Sequence, residues 1–187
     1  YETLFGLIAS CGLRLSEALS LTVADVDLRR GVLTIRRTKF AKSRQVPLHP
    51  STAKALGRYR WTRDVAGASR DDDAPFFIGT RGRLFGKRIS VHQVDNVFAK
   101  LRNDLGWINR GTHHAPRIHD LRHTFVVRRI LLWQQHGVDV DEAMLALSTY
   151  VGHAMVTNTY WYLQAVPELI AVVAKRFEAC MPELSHA

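Results

Sequence analysis

Apolar residues at helical spacing open the chain, and the spacing then changes. Residues 2–10 and 15–21 carry apolar side chains every three or four positions, which predicts two short helices. Residues 31–36 and 45–48 are instead predicted to be strands, and the polar residues between them would join the two as a hairpin. Pro47 has no backbone N–H to donate, so we expect the second strand to lie at the edge of a sheet.

The rest of the pattern is helical. Ser51 and Ser90 are predicted to cap two helices, because a serine hydroxyl accepts a hydrogen bond from the first helical turn. The helices predicted after the hairpin cover residues 51–63, 91–101, 119–135, 141–147, 156–163 and 167–179. The polar stretches 66–74 and 106–116 are expected to be loops. The resulting fold class is mainly α with a small antiparallel β-sheet (α+β).

Charge adds a preferred kind of partner to this picture. The 187 residues include 26 Lys and Arg against 17 Asp and Glu, a net charge of +9 and a pI near 10.1. Twenty of these basic residues are arginines, whose guanidinium binds phosphate oxygens through two parallel hydrogen bonds. Nucleic acid is therefore the first partner to consider, although a basic surface without a partner also explains this composition.

Several classes of protein are excluded or disfavoured by composition. Two cysteines, Cys11 and Cys180, cannot build a disulfide framework, which favours a reducing compartment. No apolar run reaches the roughly 18 residues of a membrane span, and the first residues lack the features of a secretory leader. The chain begins inside a predicted helix and without Met, so we expect a piece of a longer cytoplasmic protein with no membrane segment.

Some charged and aromatic residues occupy positions that solubility does not explain. Arg14 lies in an apolar neighbourhood, and His119 and Arg122 are three residues apart, which places them on one helix face. His153 follows a glycine, and Tyr162 comes nine residues later. Each residue alone has an ordinary explanation, such as an ion pair, chance spacing or packing. Their combination is more informative than any one of them.

In combination the chain resembles the catalytic domain of the tyrosine recombinases, also called the phage integrase family. The similarity lies in four stretches that agree in order and spacing over nearly the whole chain: residues 11–17, 37–48, 118–125 and 151–162. Residues 159–163, together with 167–169, also look like recombinases encoded by transposons and related mobile elements. The resemblance implies that residues 1–187 form a catalytic domain, and that the N-terminal DNA-clamping domain of such enzymes lies outside this chain.

The resemblance implies that three of these residues bind the scissile phosphate and that an acidic residue supports one of them. Arg14 and Arg122 would bind the charge that builds up on its non-bridging oxygens, and Glu17 would support Arg14. His153 would donate a hydrogen bond to the same phosphate. Removal of Glu17 would leave Arg14 without its partner, so we expect Glu17→Ala to lower both stability and activity.

The nucleophile and the proton transfers follow from the same resemblance. Tyr162 would form a covalent 3′-phosphotyrosine, His119 would take the tyrosine proton, and Lys39 would protonate the leaving 5′-oxygen. The register of the second strand favours Lys39 over Lys42 as this acid. Tyr160 is a rival nucleophile, but the spacing from the second catalytic histidine favours Tyr162. The scheme requires no metal and no cofactor.

Zinc binding is the competing interpretation of the histidines. His113, His114, His119 and His123 are close in sequence, and the last two are one helical turn apart. However, no Glu completes a His-Glu-x-x-His frame and no cysteine pair is present, so we assign no metal site.

Two other functions remain as alternatives to a site-specific recombinase. A type IB topoisomerase uses a similar set of catalytic residues to relax supercoiled DNA. A mobile element can also leave behind a DNA-binding remnant without catalytic activity. Every matched catalytic position is filled in this chain, which argues against the remnant.

The predicted partner is double-stranded DNA at a specific recombination site. The candidates for contacts with its phosphates are Arg37, Lys42, Arg44, Arg83, Lys87 and Arg88. In the family a C-terminal helix often docks on a neighbouring protomer, so the predicted helix 167–179 implies a homo-oligomer, a tetramer on DNA. Packing of that helix on its own domain is the alternative. We expect the protein in the bacterial cytoplasm, associated with the nucleoid.

Overall fold

The computed structural model describes residues 1–36, 43–109 and 114–152, together with Met155, Thr157 and Thr159. The chain forms two compact units, Tyr1–Phe125 and Val126–Ala187. The described residues form six α-helices and one three-stranded antiparallel sheet, which confirms the predicted fold class. No helix within these described ranges is long and apolar enough to cross a membrane.

Two helices joined by a tight turn begin the first unit. Helix α1 spans Glu2–Cys11 and helix α2 spans Leu15–Ser20, as the apolar spacing predicted. Gly12 ends α1 with a φ of 62°, a left-handed conformation that glycine adopts without steric cost. A Cβ atom on Gly12 would lie 2.5 Å from Cδ1 of Phe125, so a side chain has no room there.

The sheet follows directly and has the strand order β1-β2-β3. Its strands are β1 (Val26–Asp27), β2 (Val32–Ile35) and β3 (Arg44–Pro47), and both pairings are antiparallel. The proline of β3 therefore lies in an edge strand, as predicted. Leu33 and Val46 are directly opposite each other and both are fully buried. The sequence pattern missed β1, because two residues are too few to show an alternation.

Helix α3 spans Pro50–Val65, and its start corrects one prediction. The N-cap is His49, whose Nδ1 accepts a hydrogen bond from the backbone N–H of Ser51 at 3.3 Å. The prediction of Ser51 as the cap was wrong, because Pro50 already occupies the first helical position, where its fixed φ suits a helix start.

Helix α4 spans Val91–Asp104 and begins as the sequence predicted. The hydroxyl of Ser90 accepts a hydrogen bond from the N–H of Gln93 at 3.2 Å, and the Gln93 side chain accepts one from the N–H of Ser90 at 2.9 Å. This reciprocal pair satisfies two backbone donors that a helix start leaves open. Val94 and Phe98 form the buried side of the helix.

An aromatic cluster anchors the chain between α3 and α4. The ring centroid of Tyr59 lies 5.5 Å from that of Phe76 and 5.1 Å from that of Phe77, and both phenylalanines are buried. The Tyr59 hydroxyl accepts a hydrogen bond from the N–H of Ile78 at 3.1 Å. These contacts fix the point at which the basic 79–88 loop leaves the core.

The last two described helices are α5 (Ile118–Gln135) and α6 (Val140–Val151). Gly137 follows α5 with a φ of 71°, in agreement with the predicted helix end. Among the described residues of the second unit, the buried apolar ones are Val126, Ile130, Met144, Leu147 and Val151. The helices predicted over 156–163 and 167–179 lie outside the described residues, except for Thr157 and Thr159, which are helical.

Candidate active site

A buried carboxylate at the start of α2 binds two arginines. Oε1 of Glu17 accepts hydrogen bonds from Nη1 of Arg14 at 2.9 Å and from Nη1 of Arg44 at 3.0 Å. Oε2 accepts one from the backbone N–H of Arg14 at 3.0 Å and one from Nη2 of Arg44 at 2.9 Å. Each carboxylate oxygen therefore serves both arginines. The structure brings Arg14 and Glu17 together, as the resemblance implied, and adds Arg44 to the pair.

The environment of Glu17 keeps its carboxyl group ionised. Burial alone would raise its pKa, but the hydrogen bonds and positive charges of Arg44 and Arg14 outweigh that effect and hold the pKa below its ordinary value. The side chains of Glu17 and Arg44 are 8% and 10% exposed, whereas that of Arg14 is 34% exposed. Of the two arginines, Arg14 is therefore the one with surface available for a ligand.

Arg122 on α5 binds the backbone of the turn that precedes Arg14. Its Nη1 donates a hydrogen bond to the carbonyl oxygen of Gly12, two residues before Arg14. The close approach of Gly12 to the ring of Phe125 docks this turn on α5 as well. The two predicted phosphate-binding arginines thus meet at one turn. Arg122 is only 1% exposed, so a phosphate reaches its guanidinium only after neighbouring atoms move.

His119 lies one helical turn before Arg122 and is paired with a second imidazole. The ring centroids of His119 and His123 are 4.5 Å apart, with the rings nearly perpendicular. Desolvation lowers the pKa of His119, and the positive charges of His123 and Arg122 lower it further, against a smaller opposing effect of Asp120. His119 is therefore neutral at pH 7, which is the form that can accept a proton.

The zinc interpretation of the histidines finds no third ligand in the described part of the chain. No three His, Cys, Asp or Glu side chains are grouped there as metal ligands would be. His114 is exposed, and His113 lies outside the described residues.

The 79–88 loop presents basic side chains on a closed backbone. The N–H of Gly79 donates to the carbonyl of Lys87 at 2.8 Å, and a short 3₁₀ turn at Gly82–Leu84 forms the tip. Arg83 and Lys87 are exposed, and neither forms an ion pair with any described residue. These two predicted DNA contacts are therefore accessible.

Two other predicted DNA contacts are engaged with protein groups. Nη1 of Arg88 donates to the carbonyl oxygen of Leu19, near the end of α2, at 3.0 Å. Arg44 uses both terminal nitrogens on Glu17. Arg88 thus binds a carbonyl at a helix C-terminus, where positive charge is favourable.

The remaining predicted site residues are not covered by the described part of the chain. They are Arg37, Lys39, Lys42, His153, Tyr162 and the rival Tyr160. The hairpin acid, the second histidine and the nucleophile therefore stay predictions. The structure pairs Arg14 with Glu17 and places Arg122, one helical turn after His119, at the turn that precedes Arg14.

Sequence reasoning missed the partner of Arg44. No local signal links it to Glu17, because 27 residues separate the two. One signal was available: side chains two apart in a strand point to the same side of the sheet, so Arg44 shares a side with Val46, which is fully buried. The predicted strand began at residue 45; one more residue would have placed Arg44 on its buried side, where an arginine calls for a carboxylate partner.

Comparison with known protein families shows which family this chain matches. The model of the phage integrase family matches residues 1–168 of the 187. The chain belongs to the phage integrase family.

Two relatives show how far the integrase similarity extends. The integrase/recombinase-like protein y4rB of Sinorhizobium fredii is 39% identical over 178 residues, which cover 95% of this chain and 55% of the relative. The tyrosine recombinase XerC of Chromobacterium violaceum is 33% identical over 161 residues, 86% of this chain and 46% of that protein.

This integrase chain therefore spans about half the length of the curated relatives it matches. Solved structures agree on the fold. XerA recombinase superimposes with a TM-score of 0.67 at 22% identity, covering 97% of this chain and 63% of that one. XerH recombinase in its post-cleavage complex with palindromic difH substrate gives 0.65 at 23%, covering 94% and 45%.

Proposed function

We propose that this integrase-family protein is a site-specific DNA recombinase. It cleaves a DNA strand and rejoins it to another through a covalent 3′-phosphotyrosyl bond at Tyr162, without a metal or a high-energy cofactor. The observation that carries this proposal is the meeting of Arg14, Glu17 and Arg122 at the turn of Gly12. Two guanidiniums at one turn suit a phosphodiester, because both stay cationic at any physiological pH.

Arg14 provides the first stabilisation of the transition state. Attack on phosphorus increases the negative charge on the non-bridging oxygens, and a donor already fixed in place binds that charge without reorganising. The Glu17 carboxylate fixes Arg14 through both its backbone N–H and its Nη1. Arg122 joins in the DNA complex once its surroundings open. Removal of one such donor typically costs about 10²–10³ in rate.

The bond changes balance without a co-reactant. The Tyr162 oxygen attacks phosphorus while His119 accepts its proton, the bond to the 5′-oxygen breaks, and Lys39 gives that oxygen a proton. The products are a 3′-phosphotyrosyl linkage and a free 5′-hydroxyl. The lowered pKa of His119 supports its role as the proton acceptor. Attack by another 5′-hydroxyl reverses the sequence and restores Tyr162, so the energy of the broken bond is conserved.

The proposed substrate is duplex DNA at a recombination site. The structurally similar XerH is bound to its difH substrate, and the structurally similar Tn1549 transposon integrase is bound to circular intermediate DNA. The exposed side chains of Arg83 and Lys87 support contacts with the phosphates that flank the cleavage point. We further propose that the protein acts as a tetramer linked through residues 167–179.

The decisive test traps the covalent intermediate. Nicked duplexes tiled across the genomic DNA that flanks the gene release a short fragment when cut, so the protein–DNA adduct cannot reseal. We expect the full-length wild-type protein and Tyr160→Phe to form this adduct in the presence of EDTA, and Tyr162→Phe to form none. Equal adduct from Tyr162→Phe and wild type contradicts the assignment of the nucleophile.

A second measurement separates the recombinase from the topoisomerase. Supercoiled plasmids with and without the captured sequence are incubated with the full-length protein. A recombinase acts on the plasmid that carries the site, whereas relaxation of both plasmids at equal rates favours a type IB topoisomerase. DNA binding with no cleavage by a well-folded protein identifies a non-catalytic remnant.

A further inference from the structure

Arg44, the first residue of β3, is positioned to act on Arg14 through Glu17. Its Nη1 and Nη2 donate to the two carboxylate oxygens of Glu17 at 3.0 and 2.9 Å. Its side chain is 10% exposed, whereas that of Arg36, the residue after β2, is 60% exposed. A guanidinium that is enclosed and engaged in this way presents little surface to a DNA phosphate.

The shared carboxylate transmits the position of Arg44 to Arg14. Oε1 of Glu17 accepts from both arginines, and Oε2 also accepts from both. The planar fork of Arg44 fixes the plane of the carboxylate, because two parallel hydrogen bonds define an orientation that a single bond does not. That plane in turn decides where the Nη1 of Arg14 is held.

The same contact ties two separate elements of the sheet-and-helix core together. Glu17 lies in α2 and Arg44 begins the strand that follows Lys39 in the sequence. Without Arg44, Glu17 loses the two hydrogen bonds that come from the sheet and keeps those from its own helix start. The carboxylate that holds Arg14 would then lack the constraint that the sheet provides.

We propose that Arg44 is a positioning residue for strand cleavage, which acts on the scissile phosphate through Glu17 and Arg14 and not by contacting DNA itself. This inference rests on the proposed function. Arg44 was predicted from the sequence to contact a DNA phosphate directly. Under this proposal its effect on the transition state is indirect. A positioning residue and a phosphate contact differ in their effect on the salt dependence of DNA binding, which makes the two separable.

The first readout is binding. Affinity of the full-length protein for the captured duplex is measured by fluorescence anisotropy over a range of salt concentrations. Loss of one phosphate contact lowers the slope of log affinity against log salt by about 1. We expect Arg44→Gln to leave that slope unchanged. A slope that falls by about 1 overturns the proposal, since it identifies Arg44 as a phosphate contact.

The second readout is single-turnover cleavage at saturating DNA. We expect Arg44→Gln to cleave about 10- to 100-fold more slowly than wild type, because a transition-state donor is displaced but still present. Arg44→Lys keeps the charge and loses the fork, so it should recover only part of the rate. Full recovery by Lys would show that charge alone matters, and would overturn the positioning role.

The matched control is Arg36→Gln. Arg36 donates from Nε to the buried carboxylate of Asp25, so this variant also deprives a buried acid of an arginine, in a pair that does not include Arg14. Melting temperatures of both variants are recorded. We expect cleavage by Arg36→Gln to fall much less than cleavage by Arg44→Gln at a similar loss of stability. Equal losses of rate would overturn the proposal, since they indicate a general effect on folding.

The experiment distinguishes failure of this inference from failure of the proposed function. If wild type forms no adduct on any duplex, the proposed function fails and the inference falls with it. If wild type forms the adduct and Arg44→Gln cleaves at the wild-type rate, only the inference is overturned.

Discussion

Two basic regions of the first unit handle positive charge in opposite ways. Around Glu17, two arginines share one buried carboxylate, and the four hydrogen bonds between them are 2.9–3.0 Å long. In the 79–88 loop, Arg83 and Lys87 are exposed and form no ion pair with any described residue. The first region fixes its cations in one geometry, whereas the second leaves them to the solvent.

The difference assigns different tasks to the two regions. A fixed cation stabilises charge at one point in a transition state, because it needs no reorganisation when that charge appears. A solvated cation attracts a polyanion over a longer range and is screened by salt. Substitutions in the first region should therefore change cleavage and stability, and those in the second should change affinity and its salt dependence.

Glu17 gives the largest expected effect. Glu17→Gln keeps the shape of the side chain but removes the charge shared by Arg14 and Arg44. We expect cleavage to fall by about 10²–10³. The free energy of unfolding should fall by about 3 kcal/mol, at the low end for a broken buried pair because Arg14 is 34% exposed. Glu2→Gln, which removes an exposed acid from α1, is the control. An unchanged unfolding free energy for Glu17→Gln would show that the buried carboxylate does not stabilise the fold. That result would contradict the contrast drawn between this region and the 79–88 loop.

The ionised carboxylate of Glu17 also makes the stability of the protein depend on pH. The pKa of Glu17 lies below its ordinary value of 4.5 in the folded protein. Its stabilisation is therefore complete above pH 4.5 and is lost as the pH falls through the folded-state pKa. Urea unfolding of wild type and Glu17→Gln between pH 6 and 3 should show two curves that converge at the acid end. Curves that stay parallel would contradict this linkage.

His119 gives an intermediate effect that appears in the pH profile. Its pKa is lowered by desolvation first and by His123 second, so we expect cleavage to decline only as the pH falls below 6.5. His123→Gln removes one lowering influence and should raise the pKa of His119 toward 6.5. NMR titration of the imidazole measures this shift, with His92→Gln on α4 as the control. A shift in the opposite direction would show that His123 does not act through its charge.

The loop gives the smallest effect on catalysis. Arg83→Gln and Lys87→Gln should each lower the slope of log affinity against log salt by about 1. Melting temperatures should stay at the wild-type value, because neither side chain is buried. Lys54→Gln removes an exposed charge from α3 and serves as the control. If the loop variants behave like Lys54→Gln in the binding assay, the loop does not contact DNA.

The sequence predicted the parts of the fold that depend on neighbours along the chain. Ser90 and Gln93, which cap α4, are only three positions apart, and the apolar stripe that follows Ser90 predicted α4 correctly. His49 was missed as the cap of α3, because histidine is not among the residues that usually cap helices. Thr22 and Asp25 form two hydrogen bonds of 3.1 Å just before β1. They belong to no repeating pattern of apolar residues, so the sequence pattern did not reveal this contact.

In the candidate site, too, the sequence predicted contacts between neighbouring residues and missed those between distant ones. Glu17 and Arg14 are three residues apart, so their pairing was predictable. The bond from Arg44 to Glu17 spans 27 residues and that from Arg88 to Leu19 spans 69. Both arginines were predicted to contact DNA, because the sequence does not show that protein acceptors lie within their reach. Only the folded chain shows this. Composition and spacing report how many cations a chain has, and tertiary contacts decide which of them are already engaged.

The hydrogen bond from Arg122 to Gly12 joins residues 110 positions apart. Translation at roughly 5–20 residues per second delivers Arg122 about 5–20 s after Gly12. Helix α2 and the whole sheet are synthesised in that interval, so both partners of the Glu17 carboxylate precede Arg122. The second arginine joins them only when α5 has been made. A chain that ends before residue 122 therefore carries only one of the two arginines that the proposed cleavage needs.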